Sequence, residues 1–327
     1  MSRMTNLNNV SLLAAVWLAH DDYDYQVEPN YISVTTLIKP IRQIVLGSRI
    51  PVEDRVIDVM DRFASRVGTS LHGGVEDAWL KHYRTSLKKL GYPEKVINSI
   101  RINPEKEEPD TLPVYLEVRS KREISGFVVG GKMDGIIEGR LHDVKKTSVF
   151  KYKSRSSDGK WRLQGSLYRW LNPEKVTHGE LAIQYLLLDW SRAAAKRDAT
   201  YPVHPAPVAL VALMGVEETE QWVKEKLGFL AQYRDSPEDQ LPDCPEEDLW
   251  RTAPVHKYYA NPENTGRSTK NFDDLSEAIK FKAEKGKGII KTVPGEVRAC
   301  AYCECAPICG QRLRLIADGS IPENTIP

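Results

Sequence analysis

Residues 130–168 read GGKMDGIIEGRLHDVKKTSVFKYKSRSSDGKWRLQGSLY and begin with two segments of β-type composition, Met133–Ile137 and Leu141–Ser148. Between the two segments lie Glu138 and Gly139, a residue pair that suits a tight hairpin turn. We therefore predict a β-hairpin here. The rest of the chain is interpreted outward from this hairpin.

A two-residue turn sets the register of the predicted hairpin. Ile137 then pairs with Arg140, and the same count along both strands places Asp134 directly opposite Asp143. The Cβ atoms of opposed residues lie about 4.5–5.5 Å apart, so both carboxylates can contact one divalent cation. A longer loop would break this pairing.

A lysine joins the two carboxylates. Side chains alternate along a strand, so Lys145 shares a sheet face with Asp143 while Val144 points to the other face. Two like charges are costly to bury together without a counter-charge, and a metal ion between them offsets that cost. The alternative for any one of these residues is a solvated charge on an exposed hairpin. Their convergence favours a metal site.

Length and composition indicate a globular protein. The chain has 327 residues and a formal net charge of +1, which excludes a globally basic nucleic-acid coat but not a local basic patch. No run of residues is long enough to cross a bilayer, and the N-terminal apolar segment is too short and too interrupted for a signal peptide. We expect a cytoplasmic protein with no membrane partner.

The chain before the hairpin is predicted to form a strand over residues 31–38 and a helix over residues 52–83. Three glycines interrupt the helical pattern, the first of them Gly68. Because each costs about 0.5–1 kcal/mol relative to alanine, we predict a break near Gly68 or the close approach of another backbone. His72 and Glu76 lie four residues apart on one helix face. Spacing alone favours an ordinary surface or core role for His72.

The most basic window of the chain follows the hairpin. Residues 145–169 contain eight lysines and arginines and one aspartate, interleaved with Phe150, Tyr152, Trp161 and Tyr168. Cations for phosphates and aromatic faces for unstacked bases are the two components of single-strand binding sites. A charge run is more often a solvated face, but here it adjoins the predicted metal site. A helix predicted over residues 161–171 places Gln164 and Tyr168 on one face.

Four short motifs follow one another along the chain: Gly68…His72…Glu76, Gly131-Lys-Met-Asp134, Asp143-Val-Lys145 and Gln164-x-x-x-Tyr168. Their order resembles the PD-(D/E)XK nuclease superfamily, and within it the RecB-like and phage-type exonuclease branch. The resemblance covers roughly residues 60–215 and continues into the cysteines. It implies a restriction-endonuclease-like core with a central mixed β-sheet flanked by helices.

The resemblance implies a metal centre on the hairpin. Asp134 and Asp143 resemble the acids that bind Mg²⁺ or Mn²⁺, with the Val144 carbonyl as a further ligand. Lys145 resembles the lysine that orients or activates the attacking water. Mg²⁺ prefers oxygen ligands and lowers the pKa of a bound water. These carboxylates are compatible with one metal ion or with two.

The resemblance also implies roles for the flanking helices. His72 and Glu76 resemble the first motif, in which one side chain completes the metal shell, and either of the two can be that ligand. Gln164 and Tyr168 resemble the pair that positions the substrate strand.

A cysteine cluster lies near the C-terminus. Cys300, Cys303 and Cys309 form a C-x2-C-x5-C pattern, and Cys244 is a candidate fourth ligand from a distance. Thiolates at this spacing bind Zn²⁺ or an iron–sulfur cluster. The pattern resembles the iron–sulfur staple of some RecB-like nucleases, which implies a 4Fe-4S cluster, with structural Zn²⁺ as the alternative. In that family the lone cysteine precedes the nuclease core, whereas Cys244 follows it. Cys305 is left over unless it replaces Cys244.

We therefore expect an α/β protein with an N-terminal segment (residues 1–50), a PD-(D/E)XK nuclease core (51–235) and a C-terminal cysteine-cluster region (236–327) packed on the core. The predicted function is that of a metal-dependent DNA nuclease, an exonuclease that hydrolyses phosphodiester bonds in recombination, repair or replication. Its partners would be DNA, single-stranded or with free ends, and recombination or replication proteins. The alternative is a non-catalytic single-stranded nucleic-acid-binding protein with a structural metal cluster.

Overall fold

The computed structural model describes residues 3–21, 24–51, 53 and 55–322 of the chain. Its strands, in chain order, are β1 (Arg3–Thr5), β2 (Tyr31–Ser33), β3 (Val56–Asp58), β4 (Ile100–Ile102), β5 (Leu112–Ile124), β6 (Phe127–Ile137), β7 (Arg140–Thr147), β8 (Glu180–Leu187), β9 (Val208–Ala212), β10 (Val255–Tyr259), β11 (Lys270–Phe272) and β12 (Ile289–Val293). Its α-helices are α1 (Leu12–Ala19), α2 (Val34–Leu37), α3 (Ile41–Arg49), α4 (Phe63–Lys89), α5 (Glu94–Ser99), α6 (Val149–Ser154), α7 (Asp158–Leu171), α8 (Arg192–Arg197), α9 (Val216–Tyr233), α10 (Leu275–Lys285) and α11 (Gly310–Ala317).

The described residues fall into two compact units. Unit 1 takes the ranges Met1–Ile38 and Val52–Phe229, and unit 2 takes Lys39–Pro51 and Leu230–Pro327. The N-terminal segment predicted over residues 1–50 is thus divided between the two units. The division has a packing cause, since Arg42 of α3 donates hydrogen bonds to the Pro242 and Leu241 carbonyls of unit 2.

Unit 1 is built on a seven-stranded mixed sheet that is flanked by helices. The strand order is β4-β5-β6-β7-β8-β9, and β2 pairs additionally with β6. β5, β6 and β7 run antiparallel, β7 and β8 run parallel, and β8 and β9 run antiparallel. Trp79 and Leu87 of α4 pack against Val114 and Leu116 of β5. The predicted α/β class with a central mixed sheet is confirmed.

β6 and β7 form the hairpin predicted from the sequence. Ile137 pairs with Arg140, so Glu138 and Gly139 are the loop. Both loop residues have positive φ, 52° and 72°, as a type I′ turn requires. The prediction of a two-residue turn is confirmed.

β6 changes neighbours at Asp134. Over Gly135–Ile137 its neighbour is β7, and over Tyr31–Ser33 the short strand β2 pairs with Val128–Gly130 of β6. β7 meanwhile continues along β8 as far as Thr147. The two strands therefore part at Asp134, which leaves room for side chains between them.

Three predictions of local structure are wrong. The strand predicted over residues 31–38 ends at Ser33, because the Ser33 hydroxyl accepts a hydrogen bond from the Thr36 N–H (3.1 Å) and so starts α2. The predicted helix starts later than expected, at Phe63, and residue 52 lies outside the described residues. α4 then passes Gly68 without a break, and no described heavy atom lies within 4 Å of a Cβ placed there. Packing of its C-terminal half on the sheet maintains the helix.

Unit 2 contains a three-stranded antiparallel sheet of order β11-β10-β12. Its core is formed by Tyr258, Phe272 and Ala278, the last of these on α10. A second core lies beside two cysteines and consists of Leu249, Val297, Leu315 and Ile321. The sequence did not reveal this sheet because its strands are only three to five residues long. Among the described residues of the whole chain, no helix combines the length and hydropathy of a membrane span.

Candidate active site and cysteine pocket

Side chains from three elements of unit 1 converge on one point. His72 of α4, Glu117 of β5 and Asp134 of β6 each place a ligand atom within 4.8 Å of the other two. His72 Nδ1 lies 3.1 Å from Asp134 Oδ2. Ligands of Mg²⁺ lie at about 2.1 Å, so opposite ligands are about 4.2 Å apart. The spacing of the three groups therefore suits one divalent cation.

Glu117 was not identified from the sequence. The pairs on either side of it in the β5–β6 ladder place it opposite Asp134. Its φ is 51°, in the left-handed region, which costs a residue other than glycine about 1–3 kcal/mol. Its carboxylate lies 2.6 Å from the Lys132 ammonium. Only the register of β5 against β6 could have revealed Glu117, because no local motif contains it.

Asp143 and Lys145 lie together on β7, as the strand alternation predicts. Lys145 Nζ lies 2.9 Å from Asp143 Oδ1, with which it makes a hydrogen bond, and 2.8 Å from Oδ2. Among the described residues, Oδ2 is a buried oxygen without a hydrogen bond. Burial raises the pKa of the Asp143 carboxyl, and the Lys145 charge acts in the opposite direction. The Lys145 ammonium is thus the counter-charge of this buried carboxylate.

The acid cluster also affects His72. The hydrogen bond to Asp134 raises the pKa of the imidazole, against the effect of burial, and the charges of Asp143 and Glu117 raise it further. A proton on His72 is therefore one counter-charge for the acids. A divalent cation would compete with that proton, since a ligating imidazole must be neutral.

The hairpin register places Asp134 opposite Asp143, as predicted, but the paired stretch of β6 and β7 does not extend to these two residues. The β6–β7 ladder ends one pair earlier, at Gly135 and His142. Beyond it, Asp134 Oδ2 accepts a hydrogen bond from the Val144 N–H (2.9 Å). The N–H and C=O of a strand residue point to the same side, so the Val144 carbonyl also faces β6. This is the orientation that a ligand role for that carbonyl requires.

The two candidates of the first motif differ in position. His72 contacts Asp134, whereas Glu76 lies half-buried one turn further along α4. Among the described residues, the ligand group comprises His72, Glu117 and Asp134 without Glu76. The geometry thus favours His72 as the ligand from α4.

Gln164 and Tyr168 lie beside the acids. Gln164 Nε2 donates a hydrogen bond to the Tyr168 hydroxyl (3.2 Å). Both residues line a narrow cleft together with Asp134 and Asp143. Gly131 makes room for the tyrosine, because a Cβ at this position would lie 2.6 Å from Tyr168 Cε1. The second and fourth motifs therefore depend on each other sterically.

The aromatic residues of the basic window are not equivalent. Tyr152 and Trp161 pack edge-on against the ring of Tyr185, with centroids 5.0 and 5.6 Å away. Tyr168 is buried. Phe150 of α6 is 75% exposed, so its ring has a free face. Phe150 is the member of this set that is available for base stacking.

Five cysteines line one pocket of unit 2. These cysteines are Cys244, Cys300, Cys303, Cys305 and Cys309. Burial raises the pKa of Cys244 to about 12, and the neighbouring Cys309, Cys303 and Cys300 act in the same direction. The structure thus brings the distant Cys244 to the three ligands predicted near the C-terminus.

Cys305 differs from the other four. Its thiol donates a hydrogen bond to the Gln43 carbonyl (3.5 Å). The side chains of Cys303 and Cys305 also interact with each other: this interaction lowers the pKa of Cys303 to about 6 and, together with burial, raises the pKa of Cys305. Thiolates are the metal-binding form of cysteine. Within this pair the thiolate is favoured at Cys303 and the protonated thiol at Cys305.

No family model matches this chain, and no curated protein matches it. Among solved structures, the chain is similar to one titled "Crystal structure of SSO0001", with 16% sequence identity and a TM-score of 0.39. The alignment covers 69% of this chain and 86% of that chain. A likeness at this level supports no conclusion about fold or activity.

Proposed function

We propose that this chain is a metal-dependent DNA nuclease of the PD-(D/E)XK type, an exonuclease that hydrolyses phosphodiester bonds in recombination, repair or replication. The proposal depends above all on one observation. Ligand atoms of His72, Glu117 and Asp134 lie within 4.8 Å of one another, next to the Asp143–Lys145 pair. Acids and an imidazole can hold a divalent cation, and an ammonium beside them can stabilise negative charge on a phosphate, which suits metal-dependent phosphodiester hydrolysis.

The donor set fits Mg²⁺ or Mn²⁺. His72, Glu117 and Asp134 would hold the ion, with Asp143 and the Val144 carbonyl as further oxygen donors. When bound, such an ion lowers the pKa of a water molecule and neutralises charge on the phosphate. Glu117 would exchange its contact with Lys132 for the ion.

The protein groups around the acids can assist the hydrolysis. In the reaction, the oxygen of water bonds to phosphorus, the bond between phosphorus and the leaving oxygen breaks, and the leaving oxygen takes a proton. Lys145, held by Asp143, places a positive charge where negative charge develops in the transition state. Gln164 and Tyr168 offer an amide and a hydroxyl for the substrate strand. Phe150 supports a preference for single-stranded DNA or free ends, since an exposed ring stacks on unpaired bases.

The cysteine pocket is proposed to hold a 4Fe-4S cluster. Four thiols besides Cys305 line this pocket, the number that a 4Fe-4S cluster or a structural Zn²⁺ requires, and the resemblance of the C-x2-C-x5-C spacing to the iron–sulfur staple favours the cluster. In an anaerobic preparation, the cluster predicts a brown protein with about four iron and four sulfide ions per chain. A colourless protein that contains only zinc would contradict this assignment.

The nuclease proposal is tested by digestion of end-labelled single- and double-stranded DNA with Mg²⁺ or Mn²⁺. The sharpest variant is Asp134→Asn, because asparagine keeps the shape and an oxygen acceptor for the Val144 N–H while it removes the charge. We expect its rate to fall by at least about 10²–10³-fold. Asp143→Ala should also be inactive, but it leaves Lys145 without its partner and needs a folding control.

Substrates blocked at one end or the other test the exonuclease assignment. Digestion that stops when both ends are blocked supports an exonuclease, whereas cutting of closed circles contradicts it. Equal digestion by the wild type and Asp134→Asn would reject the catalytic proposal. DNA binding without cleavage by the wild type would instead support the non-catalytic binding protein.

A further inference from the structure

The backbone of Cys244 is held by a buried glutamine. The Cys244 N–H donates to Gln311 Oε1 (2.8 Å), and Gln311 Nε2 donates to the Cys244 carbonyl (3.0 Å). Gln311 is only 7% exposed and lies on α11, two residues after Cys309. The two hydrogen bonds with Gln311 fix the orientation of the Cys244 backbone as well as its position. The side chain thus joins Cys244 to the helix that begins at the C-terminal cysteines.

A buried arginine holds the segment that leads to Cys244. Arg42, which is 1% exposed, donates from Nε to the Pro242 carbonyl (3.1 Å) and from Nη2 to the Leu241 carbonyl (2.7 Å). It also pairs with Glu238 and, at 3.2 Å, with Asp243. A planar guanidinium can serve several acceptors at once, which a lysine ammonium cannot do in the same geometry.

The same arginine reaches the other side of the pocket. Arg42 Nη1 lies 3.9 Å from Cys309 Sγ. Its partner Glu238 accepts a hydrogen bond from the Gly310 N–H (2.8 Å), next to Cys309. Arg42 is therefore bound both to the segment before Cys244 and to the segment at Cys309.

From these contacts we infer that Arg42 and Gln311 are positioning residues for the metal centre. They hold Cys244 as the fourth ligand beside Cys300, Cys303 and Cys309. This clamp, defined as the side chains of Arg42 and Gln311, explains how a cysteine 56 residues before Cys300 joins the pocket. The proposed ligand set leaves out Cys305, whose thiol contacts the Gln43 carbonyl instead. The inference rests on the proposed metal centre but not on nuclease activity.

The test measures metal content and metal release. Wild type and variants are purified anaerobically, iron, sulfide and zinc per chain are determined, and loss of the visible absorbance to a chelator is followed in time. Gln311→Leu removes both bonds to Cys244 at similar side-chain volume, and Arg42→Lys keeps the charge without the planar donors. Groups that orient metal ligands typically contribute about 10–100-fold to metal affinity. We expect both variants to release the metal at least about tenfold faster than the wild type.

Three further variants make the result specific. Cys244→Ser should lose the centre, Cys305→Ser should retain it, and Gln232→Leu, an exposed glutamine of α9, should release metal as the wild type does. Gln311→Glu keeps the acceptor for the Cys244 N–H and serves if Gln311→Leu fails to fold. We expect Gln311→Glu to release metal faster than the wild type as well.

The outcomes separate the clamp from the proposed cofactor. If Gln311→Leu, Gln311→Glu and Arg42→Lys release metal at the wild-type rate, the positioning role of the clamp is rejected. The proposed cofactor is not affected by that result. Loss of metal from Cys305→Ser and not from Cys244→Ser would overturn the ligand set. A wild-type protein with zinc in place of iron would reject the cluster, and the clamp would then be judged by zinc release. A wild-type protein without either metal would reject both proposals.

Discussion

Replacement of Glu117 by glutamine should have opposite effects on the metal-free and the metal-bound protein. The carboxylates of Glu117 and Asp134 lie within 4.8 Å of each other. Two unit charges at that distance repel by about 0.9 kcal/mol at the dielectric constant of water and about 3.5 kcal/mol at an effective value of 20. Both side chains are partly exposed, 16% and 21%, so the lower half of this range applies.

Glu117→Gln removes this repulsion, which raises the free energy of unfolding. It also removes the contact with Lys132, which lowers the free energy of unfolding, because partly exposed ion pairs contribute about 0–1 kcal/mol. Without metal, Glu117→Gln should therefore be as stable as the wild type or up to about 2 kcal/mol more stable. In the presence of metal, Glu117→Gln should instead be less stable than the wild type. At a concentration of 100 Kd the wild type gains about 2.7 kcal/mol, and a hundredfold weaker site at the same concentration gains only about 0.4 kcal/mol.

The measurement is chemical unfolding followed by tryptophan fluorescence, in EDTA and in Mg²⁺, at mildly alkaline pH so that protonation of His72 does not contribute. Glu123→Gln is the matched control, because Glu123 lies exposed on the same strand, outside the site. DNA cleavage by Glu117→Gln should fall together with the Mg²⁺-induced gain in stability. If Glu117→Gln keeps the whole gain and cleaves DNA at the wild-type rate, Glu117 is not a metal ligand.

Three further predictions concern single side chains. Gly131→Ala should lower the free energy of unfolding by about 1–3 kcal/mol and slow DNA cleavage, since its Cβ would lie 2.6 Å from the Tyr168 ring; unfolding curves and kcat/KM check both effects. Gly73→Ala should raise the free energy of unfolding by about 0.5–1 kcal/mol without loss of activity, because no described atom lies within 4 Å of the added Cβ; a stability decrease would contradict this. Phe150→Ala should weaken binding of single-stranded DNA by about 1–3 kcal/mol in EDTA, measured by fluorescence anisotropy, while Phe229→Ala, an exposed phenylalanine of α9, should bind as the wild type does.

The sequence alone was sufficient to predict a structural feature where the residues that specify the feature are close together in the chain. The turn pair Glu138 and Gly139 determines the register of the β6–β7 hairpin through local backbone preferences. Helical periodicity likewise places Gln164 and Tyr168 on one face of α7, where they form a hydrogen bond. In both cases the interacting residues are at most a few positions from the feature that specifies them.

Local sequence patterns did not predict the position of a side chain where that position depends on packing between distant segments. The orientation of α4 against the sheet brings His72 to Asp134 and leaves Glu76 outside the ligand group. Glu117 joins that group only because the long β5–β6 ladder brings it opposite Asp134. Neither result follows from spacing within α4 or β5 alone.

The hairpin, the Asp143–Lys145 pair and the C-terminal cysteine spacing were thus determined by the sequence itself, since each depends on short stretches of chain with one preferred geometry. Tertiary structure decided the choice of His72, the addition of Glu117 and the approach of Cys244, which Arg42 and Gln311 hold from elsewhere in unit 2. The physical reason is that contacts across many residues depend on which buried groups find partners when the whole unit packs, and no local preference encodes that choice.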